Sequence, residues 1–250
     1  MSPLPVRVRR AAGRVPQLSP VQAAERSLQL RLLSLLLGYP DTELVGARAE
    51  LTEVVRGLRA GAVRGALQEF VEWFADRPPE ELERHYVDLF DLRRKSSLHL
   101  TYYLHGDTRR RGAALLAVAQ RYRAHGWEPP ADELPDHLPV ALEFAALAGP
   151  RAGEAPLRAH RRGIDLIHQA LDDADSPYRH VLAALRTLLP PQSEADRRAV
   201  AALVAEGPPV EEVGYAPDAE DEAPDAARLA AAAAGFDPEV PAAFGGPTWR

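Results

Sequence analysis

Three arginines in succession, Arg109, Arg110 and Arg111, stand at what reads as a helix start, just after Asp107-Thr108 and a paired aromatic, Tyr102-Tyr103. Backbone N–H groups make a helix N-terminus partly positive, so an exposed cation there costs about 0.3–1 kcal/mol. The cluster breaks a local rule, and rule-breaking sites are often functional ones. The chemistry on offer is recognition. Guanidinium forks hold carboxylates or phosphate, and tyrosine offers an apolar face with a polar tip, suited to a surface that must both pack and hydrogen-bond a peptide. Tyr86, Phe90 and Asp91 extend the set upstream. On residues alone two readings stand level: a binding site for an outside partner, or an internal arrangement in which Tyr102 and Tyr103 are core and Asp88 or Asp91 neutralises Arg109 or Arg110. Arginines interleaved with aromatics also suit single-stranded nucleic acid, but the patch is short and the chain carries a net charge of −6.

Catalytic signatures are missing. The sequence has no Walker A loop, no Gly-x-Gly-x-x-Gly, no Gly-x-Ser-x-Gly and no His-Glu-x-x-His. The eight histidines are scattered, and no two share a helical face at metal-ligand spacing. His168 falls on an apolar face and reads as a core histidine with a satisfied hydrogen bond. Glu80, Glu81 and Glu83 charge a helix start rather than form an acid/base pair. We therefore assign no catalytic residue, metal or cofactor, and the chain reads as a non-enzyme.

Composition sets the frame for these residues. Of 250 residues, 46% are hydrophobic, mostly Leu, Ala and Val with few aromatics, which favours helices over sheets. With no cysteine, disulfides, thiolate catalysis and Cys-ligated metals are excluded; freedom from disulfides fits the cytosol. Leu28 to Leu37 is leucine-rich, but Arg31 interrupts it, and it is far shorter than the roughly 20 residues that span a bilayer. Gly38-Tyr39-Pro40 then reads as a helix stop. No membrane insertion is expected.

Along the chain, residues 1–18 read as a disordered basic arm. Ser19-Pro20 starts a helix through Leu37, and Asp41 caps a second that carries Leu44, Leu51, Val54, Val55 and Leu58. A third after Gly61 presents Val63, Leu67, Phe70, Val71 and Phe74. Pro79 to Phe90 follows, with Leu82, Tyr86, Leu89 and Phe90 inward. Periodicity alone leaves Leu98 to Leu104 open between strand and helix; its helical surroundings favour helix. Asp107 or Thr108 caps a helix to about His125, with Leu115, Leu116, Val118, Ala119 and Tyr122 as its buried stripe. Asp136 suits a cap for the helix carrying Val140, Leu142, Phe144 and Leu147. Further helices are expected over Pro156 to Leu171, from Ser176-Pro177 to Leu189, and from a Ser193–Asp196 capping box to Glu206. Residues 207–250 read as a flexible acidic tail rich in Pro and Ala. The expectation is one all-α multi-helix bundle domain over 19–206.

Three ordered blocks in this frame resemble a known family. They are Tyr86-Val87-Asp88-Leu89-Phe90-Asp91; Ser97 to Tyr103 with Gly106-Asp107-Thr108-Arg109-Arg110-Arg111-Gly112; and Glu133-Leu134-Pro135-Asp136-His137-Leu138-Pro139 with Leu142-Glu143-Phe144. The chain is similar there to respiratory nitrate reductase delta subunits, the NarJ-like molybdenum cofactor assembly chaperones within the TorD-like class of redox-enzyme maturation chaperones. The likeness extends more loosely from about Val21 to Leu189. It implies an all-helical cytoplasmic chaperone. Such proteins bind the apo catalytic alpha subunit of nitrate reductase, partly through its N-terminal peptide, and hold it until molybdenum cofactor is inserted. Carried over by position, the client-binding candidates are Tyr86, Phe90, Asp91, Tyr102, Tyr103, Asp107, Thr108, Arg109, Arg110, Asp136, His137 and Leu138. The alternative is a helical regulatory scaffold that binds a nucleotide or other anion at the 107–111 helix start, against which the missing glycine-rich phosphate loop argues. The N-terminal arm and the tail are not part of the pattern.

Overall fold

Ser19 begins the fold as a capping box. Its hydroxyl accepts from Gln22 N at 3.3 Å and its own N–H donates to Gln22 Oε1 at 2.9 Å, with Pro20 in the first turn of α1 (Pro20–Leu36). The computed structural model describes residues 17–191 and, beyond them, Glu194, Arg198, Val200 and Ala201. The expected basic arm, the tail and the Ser193–Asp196 capping box therefore lie wholly or almost wholly outside the described residues. After α1 come α2 (Thr42–Gly46), α3 (Arg48–Gly57), α4 (Ala62–Ala75) and α5 (Pro79–Tyr86), which runs into a π-helical turn, Val87–Asp91. A 3-10 turn (Arg94–Ser96), α6 (Tyr102–His105), α7 (Arg109–Arg123) and α8 (Leu138–Ala148) follow. A second π-helical turn (Gly149–Gly153), α9 (Ala155–Ala159), α10 (Arg161–Asp173) and α11 (Tyr178–Leu188) complete an all-α architecture.

α1 lies along α8 in opposite directions. Ser27 Oγ donates to Ala146 O and Ser34 Oγ to Pro139 O, each at 2.8 Å. Leu30, Leu33 and Leu36 of α1, Phe70 and Phe74 of α4, and Val181, Leu182 and Leu185 of α11 fill the main core. At its centre the Tyr178 ring lies 4.9 Å from Phe70 and 5.0 Å from Phe90. Gly153 permits the turn after α8 to fold back: a Cβ there would come within 2.8 Å of Ala145 Cα. Two buried carboxylates bolt helices together. Glu154 receives Arg26 of α1, which also donates to Leu188 O, and Arg158 at 3.3 Å. Asp165 receives Arg161 at 2.9 Å and Arg186 of α11 at 2.6 Å. Arg186 also donates to His168 Nδ1 at 3.0 Å, which satisfies the half-buried His168 as expected.

Several local expectations need correction. The helix expected from Asp41 to Leu58 is split at Ala47, and Val54 is exposed. The helix expected over Pro156 to Leu171 breaks at His160. Only Tyr102–His105 of the Leu98–Leu104 stretch is helical, because the backbone of Leu98 and Leu100 bonds to residues 136–138 instead. On α7 only Val118 and Tyr122 are buried and Leu116 is exposed. α7 buries its far end against Val140 and Phe144 of α8 and lends no broad face to the main core. Leu147, expected inward on α8, is exposed.

Candidate functional site

The first π-helical turn sets the geometry of the site. An i→i+5 bond, Leu92 N to Val87 O at 3.0 Å, adds a residue to the turn. Tyr86, Leu89 and Phe90 all stay buried as expected, while Asp91 emerges on the surface. Tyr86 OH donates to Leu37 O at 3.0 Å, and its ring meets Tyr39 edge-on at 5.5 Å. Burial, assisted by the Asp91 charge, pushes the Tyr86 phenol well above its ordinary pKa, so it remains a donor.

The second and third sequence blocks join through backbone. His99 and His137 form an isolated antiparallel bridge, with Leu100 N on Asp136 O at 3.0 Å and Leu138 N on Leu98 O at 2.8 Å. Beneath it Asp136 is buried. Thr101 donates to Asp136 Oδ2 through its backbone N at 3.0 Å and through its hydroxyl, and His99 Nδ1 lies 3.2 Å from Oδ1. Burial alone would raise this carboxyl's pKa. Hydrogen bonds from His99 and Thr101, with the attraction of His99, outweigh burial and hold it below the ordinary value. Asp136 therefore does not cap α8, whose cap position is His137; it ties the two blocks together.

Tyr103 serves the same framework. Its hydroxyl lies 2.8 Å from Ser97 O and 3.1 Å from Lys95 O. Its ring packs where Gly163 leaves room, since a Cβ at that position would come within 3.0 Å of it. Thr108 occupies the cap position of α7, yet its hydroxyl donates backwards to His105 O at 2.7 Å and makes no capping bond. Leu138 is fully buried.

Two cavities flank this framework and share Asp91 and His99 as a wall. The larger, about 440 Å³, is lined among others by Tyr39, Tyr86, Glu133, His137 and Glu143. His137 bonds Glu133 at 2.9 Å, and burial lowers its pKa despite the neighbouring carboxylates. The smaller, about 150 Å³, is bounded by Phe90, Arg93, Arg94, Tyr102, Asp107 and Arg111. Arg111 sits over the Tyr102 ring at 5.9 Å and reaches Asp107 at 3.2 Å; Arg94 is 3.8 Å from the same carboxylate.

Of the sequence-predicted residues, Tyr86, Phe90, Asp91, Tyr102, Asp107 and His137 thus line the cavities. Tyr103, Asp136 and Leu138 lie buried beneath them, and Thr108, Arg109 and Arg110 lie at the α7 start outside either lining. Arg109 and Arg110 are both exposed, so neither is the buried arginine that an internal arrangement calls for. Sequence reasoning missed Tyr39, Arg94, Glu133 and Glu143 as lining residues. Tyr39 read only as part of a helix stop, and nothing local marked the others beyond their place in or beside the three blocks. Among the described residues no group of His, Asp and Glu is placed to hold a metal, and no helix is long and apolar enough to cross a membrane. Taken together the two adjoining cavities form a cleft edged with charge; Tyr86 and Tyr102 support it from the core while Tyr39 is exposed, a combination suited to packing against a polypeptide.

Known proteins resemble the chain in sequence and in fold. A model of the family described as nitrate reductase delta subunit matches residues 58–184, a span that includes all three blocks. The probable nitrate reductase molybdenum cofactor assembly chaperone NarJ of Bacillus subtilis is 34% identical over 172 residues, 68% of this chain and 92% of that one. The nitrate reductase-like protein NarX of Mycobacterium tuberculosis is 42% identical over 152 residues, 61% of this chain; the match spans only 23% of NarX. A crystal structure of a putative redox enzyme maturation protein from Archaeoglobus fulgidus shares the fold, with a TM-score of 0.51 at 21% identity over 70% of this chain and 98% of that one.

Proposed function

The chain belongs to the nitrate reductase delta subunit family, and from that membership we propose that it is a dedicated assembly chaperone. Its client is the apo catalytic alpha subunit of respiratory nitrate reductase, engaged partly through that subunit's N-terminal peptide. It acts in the cytoplasm, holds the subunit while molybdenum cofactor is inserted, and performs no catalysis of its own. The observation that carries this reading is the convergence of three separated sequence blocks on one tyrosine-walled cleft, with His99 and His137 bridged and Asp91 at its centre. An amphipathic segment laid in that cleft places apolar residues against the tyrosines and its polar ends on the flanking charges.

The competing nucleotide reading finds less support. The cavity beside the α7 start holds about 150 Å³, below the roughly 300 Å³ at which small-molecule sites begin, and Asp107 already occupies part of its positive charge. The test is co-purification. A tagged chain is expected to retain the alpha subunit from cells starved of molybdenum cofactor and to release it once cofactor is supplied. Equal recovery with a mature, cofactor-loaded subunit would overturn the proposal.

A further inference from the structure

The two cavities that share the Asp91–His99 wall carry opposite charge. The larger is lined by three carboxylates, Asp91, Glu133 and Glu143, and by no Lys or Arg. Glu133 is engaged by His137, whereas Asp91 and Glu143 have no ion pair among those of the described residues. The Tyr39 ring, 46% exposed, stands beside them. Carboxylates next to an open aromatic face suit a cation, which gains from both. The smaller cavity reverses the sign: Arg93, Arg94 and Arg111 outnumber Asp107 and the shared Asp91. Arg111 Nε is shielded from solvent and has no acceptor, although Nη1 of the same guanidinium is held by Asp107. A buried donor without a partner is costly, and a carboxylate beside this guanidinium offers it a further acceptor once the side chain turns towards it. At about 150 Å³ the space has room for one acidic side chain.

We infer that the cleft reads charge order along its client. The bound segment carries a cationic side chain at the Tyr39–Glu143 end and a carboxylate at the Arg94–Arg111 end, and crosses the shared Asp91–His99 wall between them. This rests on the chaperone reading and adds the chemical signature of the segment. Charge order of this kind governs selectivity among similar amphipathic segments more than total affinity.

The test uses the full chain and a synthetic amphipathic helical peptide with a lysine at one end, a glutamate at the other and an apolar face between. Two neutral versions replace either the lysine or the glutamate by glutamine. Glu143→Gln and Arg94→Gln are the protein variants; both side chains are exposed, and unchanged melting temperatures confirm that the variants fold. With wild type, each neutral peptide is expected to bind about five-fold more weakly than the parent, the scale of a partly exposed ion pair. With Glu143→Gln, removing the peptide lysine costs nothing further, while removing the glutamate still does. With Arg94→Gln the pattern inverts. Losses that are equal in wild type and variants, or no loss at all, overturn the charge-order inference. Failure of the parent peptide to bind, where the alpha subunit itself does, overturns it too and leaves the chaperone reading standing. Failure of both to bind overturns the chaperone reading.

Discussion

Glu154 and Asp165 each hold two arginines inside the bundle, whereas Asp91 and Glu143, on the cleft, hold none among the ion pairs of the described residues. The first pair of carboxylates is nearly inaccessible, and a charge so placed must be matched or it costs several kcal/mol. The second pair is open to water, where an unmatched charge costs little. Arginines thus match the carboxylates that burial isolates, while Asp91 and Glu143 on the cleft stay uncommitted beside the engaged Glu133 and Asp107. Asp136 stands between the two kinds. It is buried and fully bonded like the bolts, yet it lies under the cleft and fixes the loop that walls it.

Mutations on either side of that contrast separate the two roles, and the largest effect belongs to the interior. Glu154→Ala strands Arg26 and Arg158 and is expected to cost roughly 3–5 kcal/mol in denaturant unfolding. Glu143→Gln is expected to stay within about 0.5 kcal/mol of wild type. Comparable losses would break the contrast. Asp136→Ala leaves Thr101 N and its hydroxyl unsatisfied in a buried place, for a loss of roughly 2–4 kcal/mol. Asp136→Asn keeps an acceptor, and recovery of most of that loss, seen as a higher melting temperature than the alanine variant, would mark Asp136 as a structural tie. Gly153→Ala drives a methyl into the α8 backbone and is expected to cost about 1–3 kcal/mol by the same measurement.

Acid provides a milder probe of the interior. Burial lowers the pKa of His160 below its ordinary 6.5, and the same cause lowers His85, His137, His168 and His180. A histidine depressed in the folded state binds fewer protons there than in the unfolded chain once the pH falls below about 6.5. Stability is therefore full above that pH and is lost as pH falls towards the depressed folded values. Melting temperature should decline between pH 7 and pH 5, and His160→Gln should flatten the decline. A melting temperature that rises over that interval would contradict the assignment. A small effect of opposite sign is expected at the α7 start. Arg110→Glu places an acid where the helix dipole favours one, and should raise stability by about 0.3–1 kcal/mol at low salt, an increment that added salt removes.

The contrast also marks what can be read from sequence. Ser19-Pro20, the Leu82–Phe90 face and the α4 stripe were legible because cap chemistry and helical periodicity are local. The joining of His99 to His137, and of Thr101 to Asp136, depends on pairings more than thirty residues apart, which no local signal encodes. Asp136 looked like a cap because it precedes a helix, but a buried threonine competes successfully for its carboxylate. Tyr39 looked like a stop because glycine and proline flank it; its second role appears only when α1 packs against α8. The ordered blocks marked where to look, and their resemblance supplied the client, which side-chain chemistry alone does not specify.

Calorimetric titration of the full chain with the alpha subunit's N-terminal peptide tests the central claim most directly. Wild type should bind saturably with one peptide per chain. A Tyr39→Ala, Asp91→Asn variant with unchanged melting behaviour should bind at least about ten-fold more weakly, because the larger cavity loses its exposed aromatic wall and one of its carboxylate charges. Equal affinity for the two folded proteins would place the client elsewhere and contradict the cleft as its site.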